Sequence, residues 1–122
     1  MSVNKVILLG NVGLDPEISY PQKGQTLARV RLATSERAYV TQNGVQVPER
    51  TEWHTIVVWG KQAEVVERYV RKGSKLYVEG KMRTRAYEDR NQIKRYVTEV
   101  YADVIELLGS PRAATPGAPQ QQ

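Results

Sequence analysis

Apolar and polar residues alternate along several short segments of this chain, which is the pattern of a strand with one buried face. The clearest segment runs from Thr26 to Thr34. There Ala28, Val30 and Leu32 point one way and two arginines point the other, because side chains on one face recur at every second residue. We predict strands over residues 3–9, 26–34, 51–59, 75–85 and 94–108.

One segment between these strands has a helical period instead. Apolar residues are spaced by four positions in two pairs, Val65 with Tyr69 and Val66 with Val70. Charged residues occupy the positions opposite them. The spacing predicts a short amphipathic helix over residues 61–71, ended by Gly73.

Residues 36–50 carry turn signals. Asn43-Gly44 is a dipeptide typical of a hairpin tip, and Pro48 interrupts a strand. We predict a mobile loop or a long hairpin in this segment. Further turn signals lie at Asp15-Pro16 and at residues 21–24.

The order of these elements is several strands, one helix and two more strands. A helix between the third and fourth strands of a five-stranded chain fits the OB-fold, a partly open Greek-key barrel of the mainly β class. Periodicity alone does not separate this fold from other small α+β folds. We expect one domain over residues 1–108 and a disordered tail over residues 109–122, where proline, glycine, alanine and glutamine replace the apolar pattern.

The residues that most enzymes need are sparse. The chain has no cysteine, and His54 is its single histidine. No nucleophile motif or paired carboxylate accompanies His54. The segment Gly10-Asn11-Val12-Gly13 lacks the spacing of a phosphate-binding loop. We expect no catalytic residue, no cofactor and no metal.

The composition also bears on the compartment. No run of residues is apolar enough to span a membrane, and no hydrophobic signal region opens the chain. The absence of cysteine suits a reducing compartment. We expect a cytoplasmic, nucleoid-associated protein with no membrane partner.

The basic residues are concentrated in one region. The net charge of +5 comes from 18 Lys and Arg against 13 Asp and Glu. Residues 81–95 contain six basic residues and two acidic ones, so most of the excess lies there. Such a cluster can follow phosphates and release counterions. A solvated hairpin is the alternative explanation.

Both tryptophans lie in the predicted strand over residues 51–59. Trp53 and Trp59 are six residues apart and therefore share one face of that strand. Aromatic rings on a sheet face beside a basic hairpin form a platform on which unpaired bases can stack. The alternative is that both rings belong to the core. The opposite face, with Ile56 and Val58, can fill the core without them.

Six segments in one order resemble the bacterial-type single-stranded DNA-binding proteins over about residues 2–108. They are Val3-Asn4-Lys5-Val6-Ile7-Leu8-Leu9-Gly10-Asn11, Leu32-Ala33-Thr34-Ser35-Glu36, Thr51-Glu52-Trp53-His54, Trp59-Gly60-Lys61, Tyr69-Val70-Arg71-Lys72-Gly73-Ser74 and Val78-Glu79-Gly80-Lys81-Met82-Arg83-Thr84-Arg85. The resemblance implies an OB-fold that assembles as a homotetramer and binds single-stranded DNA.

The resemblance also implies four aromatic stacking positions. Trp53 and Trp59 match two of them, although the family often has Phe at the second. Tyr87 stands where Trp is common. The fourth position lies in the loop after residue 36, where the spacing differs and Tyr39 is the best match.

Basic positions of the family match as well. The resemblance assigns phosphate contacts to Lys5, Lys61, Arg71, Lys72, Arg83 and Arg85. Ala86 replaces a position that is often basic. His54 falls near the subunit interface of the resembled proteins.

Together these features predict non-catalytic, sequence-independent binding and protection of single-stranded DNA during replication, recombination and repair. The family usually ends in an acidic tip that recruits replication and repair proteins, whereas residues 118–122 read Ala-Pro-Gln-Gln-Gln. We expect those partners only where such a tip is present. The alternatives are a dimeric primosome-type OB adaptor, a cold-shock-type RNA-binding domain and a small nuclease.

Overall fold

The computed structural model describes residues 1–109, in which strands predominate. The elements in chain order are β1 (Val6–Val12), β2 (Glu17–Gln22), β3 (Gln25–Glu36), β4 (Tyr39–Val40), β5 (Gln46–Val47), β6 (Arg50–Trp59), α1 (Gly60–Tyr69), β7 (Lys75–Glu88) and β8 (Lys94–Gly109). Gly109 belongs to the last strand, so β8 extends one residue past the predicted domain boundary. The rest of the predicted tail lies outside the described residues.

Five of the strands close into a barrel because β1 pairs with β7 on one side and with β3 on the other. The order around the barrel is β1, β7, β8, β6, β3. Neighbours are antiparallel except for β6 and β8, which run parallel where Ile56 pairs with Val100. The helix lies between the third and fourth barrel strands, as predicted.

The first strand starts and ends three residues later than predicted. Gly10-Asn11 was expected to end it, but β1 continues through both residues and changes partner there, from Leu76 and Lys75 of β7 to Ala33 of β3. A Cβ on Gly10 would lie 2.1 Å from the carbonyl oxygen of Ala33. The glycine therefore permits the close backbone approach that closes the barrel.

Two regions between the barrel strands have their own pairing. The alternation did not predict β2, because this strand pairs with β3 alone and most of its side chains are exposed. The segment predicted as a loop or a hairpin is a hairpin of β4 and β5. Its turn holds Asn43 and Gly44, with the Gly44 N–H donating to the Thr41 carbonyl.

The core lies inside the barrel and beneath the helix. It is built from apolar side chains of β1, β3, β6, β7, β8 and α1 and from Val70 directly after the helix: Val12, Ala28, Val30, Leu32, Ile56, Val58, Ala63, Val66, Val70, Leu76, Val78 and Val100. One of the two apolar pairs predicted for the helix is wrong. Val66 and Val70 are buried, but Val65 and Tyr69 are exposed. Ala63 takes their place because it shares the face of Val66.

The helix is also shorter than predicted. It ends at Tyr69, and Val70 is extended. The Arg71 guanidinium donates to the carbonyls of Glu67 and Val70, at 2.9 Å and 2.8 Å. These bonds satisfy carbonyls that the helix end leaves free.

Candidate nucleic-acid interface

One outer face of the barrel, formed by β3, β6, β8 and β7, carries a concentration of arginine and aromatic side chains. Ala28, Val30 and Leu32 of β3 point into the core, so Arg29 and Arg31 point outward. The register continues the face across the sheet, with Arg29 opposite Val57, Val57 beside Tyr101, and Tyr101 opposite Lys81. We call this surface the outer face.

Trp53 lies on the outer face, opposite Ala33 of β3. Its side chain is 52% exposed, so it is not part of the core. The ring packs on the backbone at Gly13, where an added Cβ would lie 2.2 Å from a ring carbon. The Arg31 guanidinium stands 5.7 Å from the ring centroid. Trp53 is thus held in place while half of its surface stays accessible.

Trp59 lies at the other end of β6, where the strand meets the helix. It is 45% exposed and stands opposite Leu27. It lies six positions along the strand from Trp53, a distance of roughly 20 Å. The two rings can therefore offer two separate stacking positions along one strand but cannot hold the same base.

The hairpin of β7 and β8 extends past the barrel as a two-stranded arm. Beyond Gly80 and Val100 the strands pair only with each other. On the outward side, Arg83 stands 5.3 Å from the Tyr101 ring centroid and Arg85 stands 5.9 Å from that of Tyr87. Each pair combines a π-face with a positive charge.

The tip of this arm is organised by Asp89. Its carboxylate accepts the backbone N–H groups of Asn91 and Ile93 and is paired with Arg95 Nε at 2.8 Å. The Arg95 hydrogen bond and the Ile93 N–H hold the pKa of Asp89 below its usual value. The turn is therefore fixed by charge as well as by backbone geometry.

Glu99 is a buried carboxylate within the outer face. Its side chain is 2% exposed, and it is paired with Arg29 and Arg85. Burial alone would raise the pKa of Glu99, but the hydrogen bonds and charges of Arg85 and Arg29 outweigh burial and lower it. Glu99 is therefore ionised at neutral pH.

The remaining basic residues predicted for phosphate binding differ in their surroundings. Lys61 is exposed on the first turn of the helix, and Lys72 is exposed in the turn after it, where its backbone N–H donates to Asp15. Arg71 donates to carbonyls at the helix end. Lys5 is paired with Glu79 at 3.1 Å. All of these assignments stay predictions.

Tyr39 lies apart from the barrel sheet, on β4. It is exposed and lines a shallow cavity of about 340 Å³ together with Ala38, Val40, Gln46, Val47 and Pro48. Among residues 1–109, β4 and β5 pair only with each other. No strand pairing therefore ties Tyr39 to the outer face, and its stacking role stays a prediction.

His54 points to the barrel side of β6, opposite Leu32. Its Nε2 is 2.9 Å from Thr34 Oγ1, and the ring is partly buried. No Asp or Glu is paired with it within residues 1–109. Its position near a subunit interface stays a prediction.

Four residues of the outer face were not predicted as site residues: Arg29, Arg31, Glu99 and Tyr101. The alternation had placed Arg29 and Arg31 on the polar side of their strand, and this pattern could have identified them as candidate phosphate contacts. Nothing in the local sequence marks Glu99 or Tyr101, because their partners lie on other strands.

Residues 3–108 match the model of the single-strand binding protein family. The chain belongs to this family. It is 54% identical over 118 residues to the single-stranded DNA-binding protein of Bacteroides thetaiotaomicron, and the match covers 97% of this chain and 73% of that protein. These findings confirm the resemblance stated from the six sequence segments.

A solved structure supports the same conclusion for the fold. The structure of the Plasmodium falciparum SSB complex with ssDNA superimposes with a TM-score of 0.77 at 32% identity. The match covers 88% of this chain and 94% of that one. The mainly β OB-fold predicted from the order of elements is therefore confirmed for this family member.

Residues 1–109 contain no group of three or more His, Asp or Glu side chains that could hold a metal ion. No helix in that range is long and apolar enough to cross a bilayer.

Proposed function

We propose that this protein is a non-catalytic, sequence-independent single-stranded DNA-binding protein that protects single strands during replication, recombination and repair. One observation carries the proposal: aromatic rings on one face of a single-strand binding family barrel stand beside arginines, as Trp53 does beside Arg31. Stacking supplies affinity for any base, because every base has a π-face.

The stacking residues of this proposal are Trp53, Trp59, Tyr87 and Tyr39. Phosphate contacts come from Lys5, Lys61, Arg71, Lys72, Arg83 and Arg85. The exposed rings of Trp53 and Trp59 and the exposed Lys61 and Lys72 support these assignments. Stacking favours single strands over duplex, because paired bases hide their faces and leave only phosphate attraction.

The proposal includes assembly into a homotetramer. Ile7 and Leu9 of β1 are 58% and 50% exposed, and both point away from the core. The register places Ile7 opposite Glu79 and Glu79 opposite Val104, so exposed apolar residues of two strands lie on one surface. A second copy of the chain is the partner that this surface supports, since exposed apolar patches are typical of interaction sites.

The proposed assignments extend to location and partners. The domain over residues 1–108 binds DNA in the cytoplasm, associated with the nucleoid. Recruitment of replication and repair proteins is part of the proposal only where an acidic C-terminal tip is present.

A tryptophan-fluorescence titration tests the function. Oligo(dT) should quench the emission of Trp53 and Trp59 strongly, and duplex of the same length should quench it little. The log–log salt slope for oligo(dT) should be about −0.7 per phosphate contacted. Absent quenching, or equal binding of duplex and oligo(dT), would contradict the proposal and favour the adaptor alternative.

A further inference from the structure

A negative charge lies in the middle of the surface that is proposed to bind an anionic polymer. Glu99 is on β8 of the outer face, and its carboxylate joins β3 to β7. Arg29 donates to Oε2 from one side. From the other side Arg85 donates through Nε to Oε1 at 3.1 Å and through Nη2 to Oε2 at 3.4 Å.

This pairing occupies the donors that bind phosphate. The two-pronged contact uses one edge of the Arg85 guanidinium, the same geometry with which arginine grips a phosphate. Glu99 is almost fully buried, so water screens the attraction less than it would on the surface. The Arg29 and Arg85 side chains are themselves only 35% and 47% exposed.

Two further arginines of the outer face are held differently. Arg31 stands over Trp53 and Arg83 over Tyr101. None of the ion pairs within residues 1–109 involves either one. Arg29 and Arg85 are therefore bound by a carboxylate, with Arg85 also beside the Tyr87 ring, whereas Arg31 and Arg83 stand over rings and form no ion pair within the described residues.

We propose that Glu99 is a specificity-determining residue that competes with phosphates for Arg29 and Arg85. The phosphate contact assigned to Arg85 is therefore weak in the parent protein, and the attraction of the outer face for duplex DNA is lowered. This inference rests on the single-strand binding proposed above. Duplex DNA is attracted only through its phosphates, whereas a single strand also stacks. When fewer arginines are free to contact phosphates, duplex DNA loses a larger share of its binding free energy than a single strand does. The difference in affinity between single strand and duplex, which is the specificity, therefore increases.

The test compares Glu99→Gln with the parent protein. Glutamine keeps the size of the side chain and one acceptor oxygen but removes the charge that holds the arginines. The matched control is Glu64→Gln, which removes the same charge from an exposed position on α1, outside the outer face. Affinities for oligo(dT) and for a duplex of equal length are measured over a series of salt concentrations.

Release of the arginines predicts a specific change in the salt dependence. Each arginine freed in Glu99→Gln should steepen the slope of log duplex affinity against log salt concentration by about 0.9. Between about 50 and 200 mM salt, this corresponds to an additional loss of about 3.5-fold in duplex affinity. Duplex affinity at low salt should rise more than oligo(dT) affinity. Glu64→Gln should keep the parental slope. An unchanged or shallower slope in Glu99→Gln, or an equal change in the control, would overturn the inference.

A comparison of Arg83→Gln with Arg85→Gln tests the same inference even if Glu99→Gln fails to fold. Arg83→Gln should reduce the oligo(dT) slope by about 0.7, the value of one phosphate contact on a single strand. Arg85→Gln should reduce it by less than half as much, because its guanidinium is already occupied. Equal reductions in the two variants would show that Glu99 withholds nothing.

The parent protein separates the two proposals. If the parent binds oligo(dT) no better than duplex, the proposed function fails and the inference fails with it. If the parent prefers oligo(dT) and the Glu99 and Arg85 variants behave contrary to expectation, only the inference is overturned.

Discussion

At the scale of single residues, neighbours on one strand have opposite roles. Val58 is fully buried, whereas Trp59, the next residue, is 45% exposed. Trp53 shares the outward side with Trp59 and rests on Gly13. Within this one strand, the buried side chain of Val58 stabilises the barrel, whereas the exposed rings of Trp53 and Trp59 are available to a ligand.

Replacement of these residues should give distinct results. Trp53→Ala should weaken oligo(dT) binding by about 1–3 kcal/mol through the loss of one stacked base. Its melting temperature should stay near that of the parent, because the ring contributes to no core contact. Val58→Asp should unfold the protein by burying an unpaired charge. Equal melting losses in both variants, measured by circular dichroism, would identify Trp53 as a structural residue.

Glu99 also predicts how stability depends on pH. Because its pKa is lower in the folded than in the unfolded chain, the folded state binds fewer protons in acid. The stabilisation is complete above the unfolded pKa of about 4.3 and is lost as the pH falls through the folded pKa. Urea unfolding at a series of pH values should show this loss, and Glu99→Gln should show less of it. An identical acid profile for the variant would contradict the role of Glu99.

At the scale of elements, the closure of the barrel depends on one strand with two partners. β1 pairs with β7 and then with β3, and the change occurs at Gly10 and Asn11. Hairpin pairing of neighbouring strands is local, but this contact joins the first and the last of the five barrel strands in sheet order. It is therefore the point at which a small steric change affects the whole barrel.

Gly10→Ala should destabilise the protein strongly. The new Cβ would lie 2.1 Å from a backbone oxygen that cannot move without breaking strand pairing. The free energy of unfolding should fall by about 2 kcal/mol or more, the upper part of the range for overpacking. Gly109→Ala is the control, because nothing lies within 4 Å of the added Cβ. Equal unfolding midpoints in urea would show that β1 accommodates the methyl group.

At the scale of the whole molecule, the outer face and the β1 surface lie on different parts of the barrel exterior. The outer face uses β3, β6, β8 and the arm of β7, while Ile7 and Leu9 lie on β1. The protein can therefore use one surface for DNA and the other for a second copy. The order of elements fits a barrel, and the family resemblance selected the OB-fold from among small α+β folds, but neither predicted this division of the exterior.

Ile7→Glu should lower the mass of the assembly. A carboxylate placed opposite Glu79 would bury like charges in a contact between copies. Light scattering coupled to size exclusion should show a tetramer for the parent and a smaller species for this variant. Val65→Glu, at an exposed position of α1, should keep the parental mass. A parental mass for Ile7→Glu would exclude this surface from the interface.

The sequence by itself determined the positions of most strands, the helix, the inward residues of β3 and β6 and the outward direction of Trp53 and Trp59. These features follow from the spacing at which side chains return to the same face, which is two residues in a strand and 3.6 in a helix. That spacing can be recognised from residues that are close together in the chain. Only the tertiary structure decided that Gly10 closes the barrel, that Arg71 caps the helix and that Glu99 binds Arg29, 70 residues away. Such contacts depend on the register between strands, which the barrel sets as a whole and which no local pattern encodes.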